Sequence, residues 1–171
     1  MPKHSETRAL PYTPEQLYEL VADVARYGDF LPWVVAVRVR SNSETEMVAD
    51  LVVGFKALRE KFTSRVAKHR PDAITVDYVE GPLKHLRNEW RFRPDGQGGT
   101  LVDFSVDFAF KNRLFEMLAG QVFDKALRKM TDAFEARAAV LYGQNGQSSD
   151  AGGTTTAGSA GISNSSAHNA A

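Results

Sequence analysis

The stretch NRLFEMLAGQVFDKALRKMTDAFEARAAVLY, residues 112–142, decides the fold class. Its apolar side chains recur every three or four residues, which is the period of a helix with one buried face. About thirty residues at ~1.5 Å each make a rod of ~45 Å, longer than most globular helices. Asn112 is a candidate N-cap, and Gly143 a candidate for the left-handed residue that ends the helix. A helix of this kind needs a broad apolar surface to pack on.

The segments before the helix supply that surface. From Val34 to Lys111 apolar and polar residues alternate, which predicts strands with one buried face. The last strand is the clearest case, with every second residue from Val102 to Phe110 inward and Asp103, Ser105, Asp107 and Ala109 outward. Turn residues separate the predicted strands at 41–45, 70–72, 81–82 and 94–99.

Two elements precede these strands. Residues 3–11 are compatible with an edge strand that ends at Pro11. Thr13 and Gln16 form a capping box around Pro14, which predicts an amphipathic helix that runs to about Ala25. The element order indicates an α+β domain in which a curved antiparallel sheet wraps the long C-terminal helix.

The overall composition excludes several classes of function. The chain has 171 residues, with 21 basic and 21 acidic side chains, so no net field points to nucleic acid or to an anionic membrane, and we expect no DNA partner. The absence of cysteine excludes disulfides, thiolate catalysis and cysteine-bound metals. The N-terminal MPKHSETRALPY lacks the apolar core of a signal peptide, and no run approaches the ~20 apolar residues of a transmembrane helix. We therefore expect a cytoplasmic protein.

Composition changes sharply at Gly143. Residues 143–171 are rich in Gly, Ser, Thr and Ala, and Ile162 is their only large apolar residue. Such a segment cannot bury enough surface to offset its ordering entropy. The sequence therefore predicts a folded domain over 1–142 and a disordered tail over 143–171.

Catalytic chemistry finds little support. Asp103 and Asp107 could form an acid pair, but strand alternation places them on the wet face, where basic neighbours would form solvated cross-strand pairs with them. The four histidines have no metal-ligand spacing. His69 and His85 flank a predicted strand but have no acidic partner at a useful offset, so no zinc site is expected. Nucleophile, phosphate-loop and dinucleotide motifs are absent. We predict no catalytic residue, no metal site and no catalytic cofactor.

Two features leave alternatives open. The aromatic segment YGDFLPW, residues 27–33, either plugs the core or borders a cavity, and the residue types favour the plug. Basic side chains on the middle strands leave an RNA- or ribosome-facing surface as a possibility, although the aromatics there alternate inward. These side chains are Arg38, Arg40, Lys56, Arg59, Lys61, Arg65, Lys68 and Arg70.

Three stretches resemble a known family. YGDFLPWV, residues 27–34, is similar to the segment Y-P-x-F-L-P-W-C of the coenzyme Q-binding, START-like proteins in the polyketide cyclase/dehydrase superfamily. Val53-Gly54-Phe55 resembles their glycine-containing strand, and FDKALRKMTDAFEARAAVLYG, residues 123–143, resembles their C-terminal helix. Gly28 stands at the family's usual proline and Val34 at its usual cysteine. The resemblance covers residues 3–143.

The resemblance implies a helix-grip fold whose hydrophobic tunnel binds ubiquinone or a related polyprenyl lipid. Such a protein is not an enzyme; it carries its ligand in support of respiratory electron transport, with transient contact at the inner membrane or a respiratory complex. Bacterial relatives are also labelled ribosome-association toxins of a toxin–antitoxin pair, and an aromatase- or cyclase-like enzyme is a more distant alternative. On the leading interpretation, the mouth and lining are Tyr27, Phe30, Leu31, Pro32, Trp33, Leu51, Val53, Phe55, Phe62, Tyr78, Trp90, Phe104, Phe108, Phe115, Leu118 and Val122.

Overall fold

A computed structural model describes residues 3–55 and 58–143 as one sheet and its covering helices. The strand order is β1-β7-β6-β5-β4-β3-β2, and all neighbouring strands are antiparallel. The predicted α+β fold, a curved antiparallel sheet with a long C-terminal helix, is confirmed. The predicted tail lies outside the described residues from 144 onward. The elements are β1 (Lys3–Leu10), α1 (Pro14–Ala22), a 3₁₀ turn (Val24–Arg26), α2 (Tyr27–Phe30), β2 (Val34–Asn42), β3 (Glu46–Phe55), β4 (Leu58–His69), β5 (Ala73–Glu80), β6 (Leu83–Pro94), β7 (Thr100–Phe110) and α3 (Arg113–Tyr142).

The register of the strands assigns side chains to the two faces of the sheet. Trp90 on β6 lies opposite Ile74 on β5 and Phe104 on β7, and Phe104 lies opposite Glu6 on β1. Directly opposite residues share a face, so these four side chains lie on the concave side that α3 covers. The outer face carries the predicted cross-strand ion pairs, such as Arg93 Nε to Asp103 Oδ2 at 2.7 Å.

Ala109 is buried, at 2% exposure, although β7 places it on the same face as Asp107. Asp107 lies opposite Arg87 and Ala109 opposite His85, so the pairing is regular up to Ala109 and agrees with its predicted outward position. The register shifts only after Ala109, where Leu83 lies opposite Phe110, which is a bulge with one extra residue in β6.

The first helix begins as predicted and ends early. Thr13 Oγ1 accepts a hydrogen bond from Gln16 N at 3.1 Å, and Gln16 Oε1 accepts one from Thr13 N at 2.9 Å, which completes the capping box. The helix stops at Ala22 because Asp23 leaves the helical region, with φ −84° and ψ 65°. The 3₁₀ turn and the single turn of α2 then replace the last predicted residues.

Helix α3 has both predicted caps. Asn112 Oδ1 accepts a hydrogen bond from Leu114 N at 2.8 Å. At the other end Gly143 adopts φ +94°, and its N–H donates to the Ala139 carbonyl at 3.0 Å. Between its ends α3 lies closest to α1, α2, β1 and β7.

Phe134 of α3 is the centre of the packed core. Its ring centroid lies 5.0 Å from that of Trp90 on β6, and 5.4 and 5.2 Å from those of Tyr27 and Phe30 on α2. All three contacts are edge-to-face, the geometry that aromatic quadrupoles favour. One side chain therefore joins the helix to the sheet and to the α2 segment.

Replacement of Phe134 with Ala should lower the free energy of unfolding by about 3–5 kcal/mol, because the rings around it cannot collapse into the space left behind. Urea denaturation followed by circular dichroism measures this difference. Val140→Ala is the matched control, since Val140 lies on the same helix with 75% of its surface exposed. A loss for Phe134→Ala no larger than that of the control would contradict the central role of this ring.

Candidate functional site

The concave face of the sheet has a closed half around Phe134. Here Trp90, Phe92 and Phe104 retain 5%, 2% and 3% exposure. The cavity that they border with Phe134 has a volume of only about 30 Å³. That is room for about one water molecule and far below the ~300 Å³ of the smallest typical ligand pockets. In this half, two of the predicted lining residues, Trp90 and Phe104, are core side chains around a small void.

On the other half of the concave face the described side chains are less buried, and we call it the open half. Leu51 lies opposite Phe62, Ser64 opposite Tyr78, and Leu86 opposite Phe108, so apolar side chains run across β3 to β7. These side chains are only half-buried, in contrast to those around Phe134. A ligand that covered them would remove apolar area from water. We call this set the apolar inner surface: Leu51, Val53, Phe62, Tyr78, Leu86 and Phe108.

The aromatic segment 27–33 divides between the two halves. Tyr27 and Phe30 pack on Phe134, and Leu31 is 7% exposed. The Tyr27 hydroxyl donates to the Val21 carbonyl, and burial raises the pKa of this phenol. These residues act as the plug that residue type favours.

The end of the same segment reaches the open half. Pro32 is exposed and Trp33 half-buried, and the Trp33 carbonyl accepts a hydrogen bond from Gly54 N at 2.9 Å. This bond places the two residues beside the end of β3, next to Val53 of the apolar inner surface. Of the predicted mouth, therefore, Pro32 and Trp33 lie nearest to the apolar inner surface along the backbone, and their place at a mouth stays a prediction.

Four predicted lining side chains lie outside the described part of the structure: Phe55, Phe115, Leu118 and Val122. Their place in a tunnel stays a prediction. Leu86 joins the apolar inner surface without having been predicted as a lining residue. Its alternation with Asn88 and Trp90 on β6 was the signal that could have found it.

A wide depression on the outer face is unsuited to an apolar ligand. It has a volume of about 370 Å³ and is lined mainly by polar and charged side chains of β1, β6 and β7. Among these, Asp103 is held by Arg93, whose hydrogen bond keeps the pKa of Asp103 below its ordinary value. A hydrogen bond from His85 likewise lowers the pKa of Asp107. A general acid needs the opposite shift, so the two aspartates behave as surface ion-pair partners.

A charged cluster on the concave face was missed by sequence reasoning. Arg8 Nε lies 2.6 Å from Glu6 Oε2, and Arg8 Nη2 donates to Thr131 Oγ1 at 2.7 Å. Arg8 Nη1 lies 2.9 Å from both Asp132 Oδ1 and Glu135 Oε1 on α3. We call these five residues the β1–α3 cluster. Its signal was the alternation of β1, which turns every second residue inward toward α3.

In this cluster, burial and hydrogen bonding shift the pKa values of Glu6 and Arg8 in opposite directions. Burial alone would raise the pKa of Glu6, but hydrogen bonds from Arg8 and His4 outweigh it and hold the pKa below its ordinary 4.5. Burial alone would lower the pKa of Arg8, but the three carboxylates around it raise that pKa instead. Both groups are therefore charged at neutral pH, and the cluster fastens the edge strand to the long helix.

The expectation that His85 has no acidic partner is wrong, and His4 has one as well. His4 Nε2 lies 2.8 Å from Glu6 Oε1, and His85 Nε2 lies 3.0 Å from Asp107 Oδ1. Strand geometry explains both, because residues i and i+2 share a face and β6 lies beside β7. Within the described side chains, no set of three or more His, Asp and Glu residues has a metal-holding arrangement.

Comparison with known proteins agrees with this architecture. The family model "Polyketide cyclase / dehydrase and lipid transport" matches residues 10–135. The chain belongs to this family. The resemblance drawn from the motifs at 27–34, 53–55 and 123–143 is thereby confirmed at the level of the family.

Two relatives and one solved structure illustrate the similarity. The chain is 35% identical over 142 residues to the ribosome association toxin RatA of Escherichia coli K12, which covers 83% of this chain and 90% of RatA. It is 36% identical over 146 residues to the mitochondrial coenzyme Q-binding protein COQ10 homolog B of Xenopus laevis, covering 83% of this chain and 60% of that protein. The solution structure of the 18 kDa protein CC1736 from Caulobacter crescentus superposes with a TM-score of 0.68 at 42% identity, covering 84% of this chain and all of that one (100%).

In the described ranges, no helix is both long enough and apolar enough to cross a bilayer.

The β1–α3 cluster predicts an acid-sensitive contribution to stability. Because folding lowers the pKa of Glu6 below 4.5, its carboxylate stabilises the fold above that pH, and this contribution is lost as the pH falls through the folded pKa. Glu6→Gln should therefore lower the free energy of unfolding most at neutral pH, by about 1–2 kcal/mol, and its difference from wild type should shrink between about pH 5 and pH 3.

Urea denaturation at a series of pH values measures this difference. Glu44→Gln serves as the control, since the Glu44 side chain is 80% exposed and reaches Arg70 only at 3.9 Å. A difference between wild type and Glu6→Gln that stayed constant from neutral to acid pH would show that Glu6 is not held as its charged form.

Proposed function

We propose that this protein binds a chain-like apolar lipid on the open half of its concave face. The observation that carries the proposal is the apolar inner surface, where six apolar side chains from five strands remain half-buried inside an otherwise closed fold. Burial of apolar surface yields ~25 cal/mol per Å², or ~0.8 kcal/mol for each methylene group of a ligand. A flexible chain lying across these strands would gain this term along its length.

We propose ubiquinone or a related polyprenyl lipid as the ligand. The name of the Xenopus laevis relative, a coenzyme Q-binding protein, supports this choice, and so does lipid transport in the family description. The protein would shield the isoprenoid tail from water and deliver the molecule in support of respiratory electron transport. On this proposal it is a cytoplasmic protein that meets the inner membrane or a respiratory complex transiently.

The proposal involves no chemical step. The charged side chains of the concave face that the structure describes are concentrated in the β1–α3 cluster, where hydrogen bonds hold each of them. The candidate acids Asp103 and Asp107 lie on the outer face in ion pairs. The family description also includes cyclases and dehydrases, and an enzyme of that class is the more distant alternative.

Extraction and uptake experiments test the ligand. Organic extraction of purified protein followed by mass spectrometry should recover a prenyl lipid in stoichiometric amount. Added ubiquinone with a short tail should quench the fluorescence of Trp33, which lies next to the apolar inner surface. Recovery of no prenyl lipid together with no uptake of the added quinone would overturn the proposal.

Phe62 and Lys61 provide a matched pair of variants on β4. Phe62 belongs to the apolar inner surface, whereas Lys61 is exposed on the outer face opposite Val52. Phe62→Ser should raise the Kd for the quinone roughly 10-fold or more, because about 1.5–3 kcal/mol of apolar contact is lost. Lys61→Ser should leave the Kd unchanged. Equal effects of the two substitutions would show that the quinone does not bind on the concave face.

A second candidate function is association with the ribosome, and basic side chains on the outer face of the sheet favour it. Among the described side chains, Arg38, Arg59 and Lys61 have no carboxylate oxygen within 4 Å. Arg38 lies on β2 and the other two on β4, and these strands flank β3 on either side. The other predicted basic residues are engaged: Arg40 by Asp50, Arg65 by Glu46, Arg70 by Glu15, Glu19 and Glu44, and Lys68 by Asn42, while Lys56 lies outside the described residues.

Co-sedimentation with ribosomes tests this candidate, which the name of the E. coli relative RatA supports. Arg38→Glu combined with Lys61→Glu should reduce co-sedimentation, and the remaining binding should depend less on salt, because fewer counterions are released from RNA. Arg93→Glu is the control, since Arg93 is already neutralised by Asp103. Undiminished binding of the double variant would rule out this surface.

A further inference from the structure

Exposed basic and apolar side chains gather where α3 begins. Leu83 of β6 lies opposite Phe110 of β7, and Lys111 N donates to the Pro82 carbonyl at 3.1 Å. These contacts hold the start of β6 beside the start of α3. We call the exposed residues around this junction the rim cluster: Lys84, Lys111, Arg113, Leu114 and Met117.

The apolar members of the rim cluster are unusually exposed. Leu114 has 58% and Met117 63% of its surface in contact with solvent. The two residues are three positions apart on α3, so they lie on one face of its first turns. An exposed pair of large apolar side chains on one helix face is typical of a contact surface rather than of ordinary solvent exposure.

The charge around this pair is positive. Of the carboxylates whose side chains the structure describes, none lies within 4 Å of the amine or guanidinium groups of Lys84, Lys111 and Arg113. Glu116, the acid on the same turn, is directed back to the backbone, where its Oε2 accepts a hydrogen bond from Phe110 N at 2.7 Å. Three cations therefore flank the exposed leucine and methionine.

The rim cluster borders the open half of the concave face. Phe108 of the apolar inner surface lies two residues before Phe110, and its opposite residue Leu86 lies two residues after Lys84. A surface that touched Leu114 and Met117 would consequently lie next to the opening.

We propose that the rim cluster docks this protein on an anionic lipid bilayer. Leu114 and Met117 would enter the boundary between headgroups and acyl chains, while Lys84, Lys111 and Arg113 would lie at the level of the phosphates. A surface for single-stranded nucleic acid would combine its cations with exposed aromatic rings for base stacking, whereas the rim cluster combines them with a leucine and a methionine. The docking gives the proposed lipid-binding function a route by which the ligand passes between bilayer and protein without crossing water.

Vesicle co-sedimentation with full-length protein tests the docking. Vesicles of phosphatidylcholine alone are compared with vesicles that also contain phosphatidylglycerol, both free of quinone. Wild-type protein should bind the anionic vesicles more tightly, and this preference should fall as salt is added. Lys111→Glu combined with Arg113→Glu should weaken binding to anionic vesicles by roughly 30-fold or more.

Apolar substitutions at the two ends of α3 provide a matched control. Leu114→Asp with Met117→Asp should abolish sedimentation with the vesicles. Val140→Asp with Leu141→Asp should retain it, because these residues are 75% and 48% exposed at the far end of the same helix. Circular dichroism confirms that each variant is folded.

Several results would overturn the docking surface: no wild-type binding to anionic vesicles, equal binding of wild type and the Leu114/Met117 variant, or equal losses at both ends of α3. Loss of ribosome binding in the rim variants with vesicle binding unchanged would also overturn it. Because the vesicles contain no quinone, the outcome is independent of ligand uptake. A wild-type protein that docks but never takes up a prenyl lipid would refute the proposed function and leave this inference standing.

Discussion

The edge-to-face packing of Phe134 is the contact on which the rest of the structure depends. The ring joins α3 to Trp90 of the sheet and to Tyr27 and Phe30 of α2, so three layers meet at one side chain. This packing closes one half of the concave face so tightly that a void of only about 30 Å³ remains. Because the rigid contacts are concentrated there, the opposite half can stay open to an occupant without loss of the fold. The position of the bulky rings thus determines which half of the concave face is tightly packed.

The closed and open halves differ in what their side chains contact rather than in their chemistry. Both are apolar, and both arise from the same alternation along β3 to β7. Around Phe134 the aromatic rings pack against one another, whereas Leu51, Phe62 and Leu86 remain half-buried. An apolar partner that covered such side chains would gain free energy from the apolar area removed from water. The proposed lipid binding depends on this gain.

Local sequence patterns predicted the elements well because each rests on a short-range rule. The caps at Thr13, Asn112 and Gly143 and the strand alternation need only neighbouring residues, and the structure confirms them. What escaped prediction depends on contacts between distant segments. Arg8 meets Thr131, Asp132 and Glu135 only after the chain has folded, and the bulge of β6 between Leu83 and His85 is defined only by its pairing with β7. Likewise, the sequence could not show that Tyr27 and Phe30 pack on Phe134 while Trp33 bonds to Gly54, because both partners are distant in the chain.

The β1–α3 cluster also constrains the order in which the chain can fold. Arg8 lies in the first strand, yet its partners lie on the last helix, and β1 pairs only with β7. Within this domain β1 is synthesised before its partners β7 and α3, so it can pair only when almost the whole domain has been made. The meander from β2 to β7 consists of neighbouring hairpins and can form without it. We therefore expect β1 to dock late in folding and to complete the sheet.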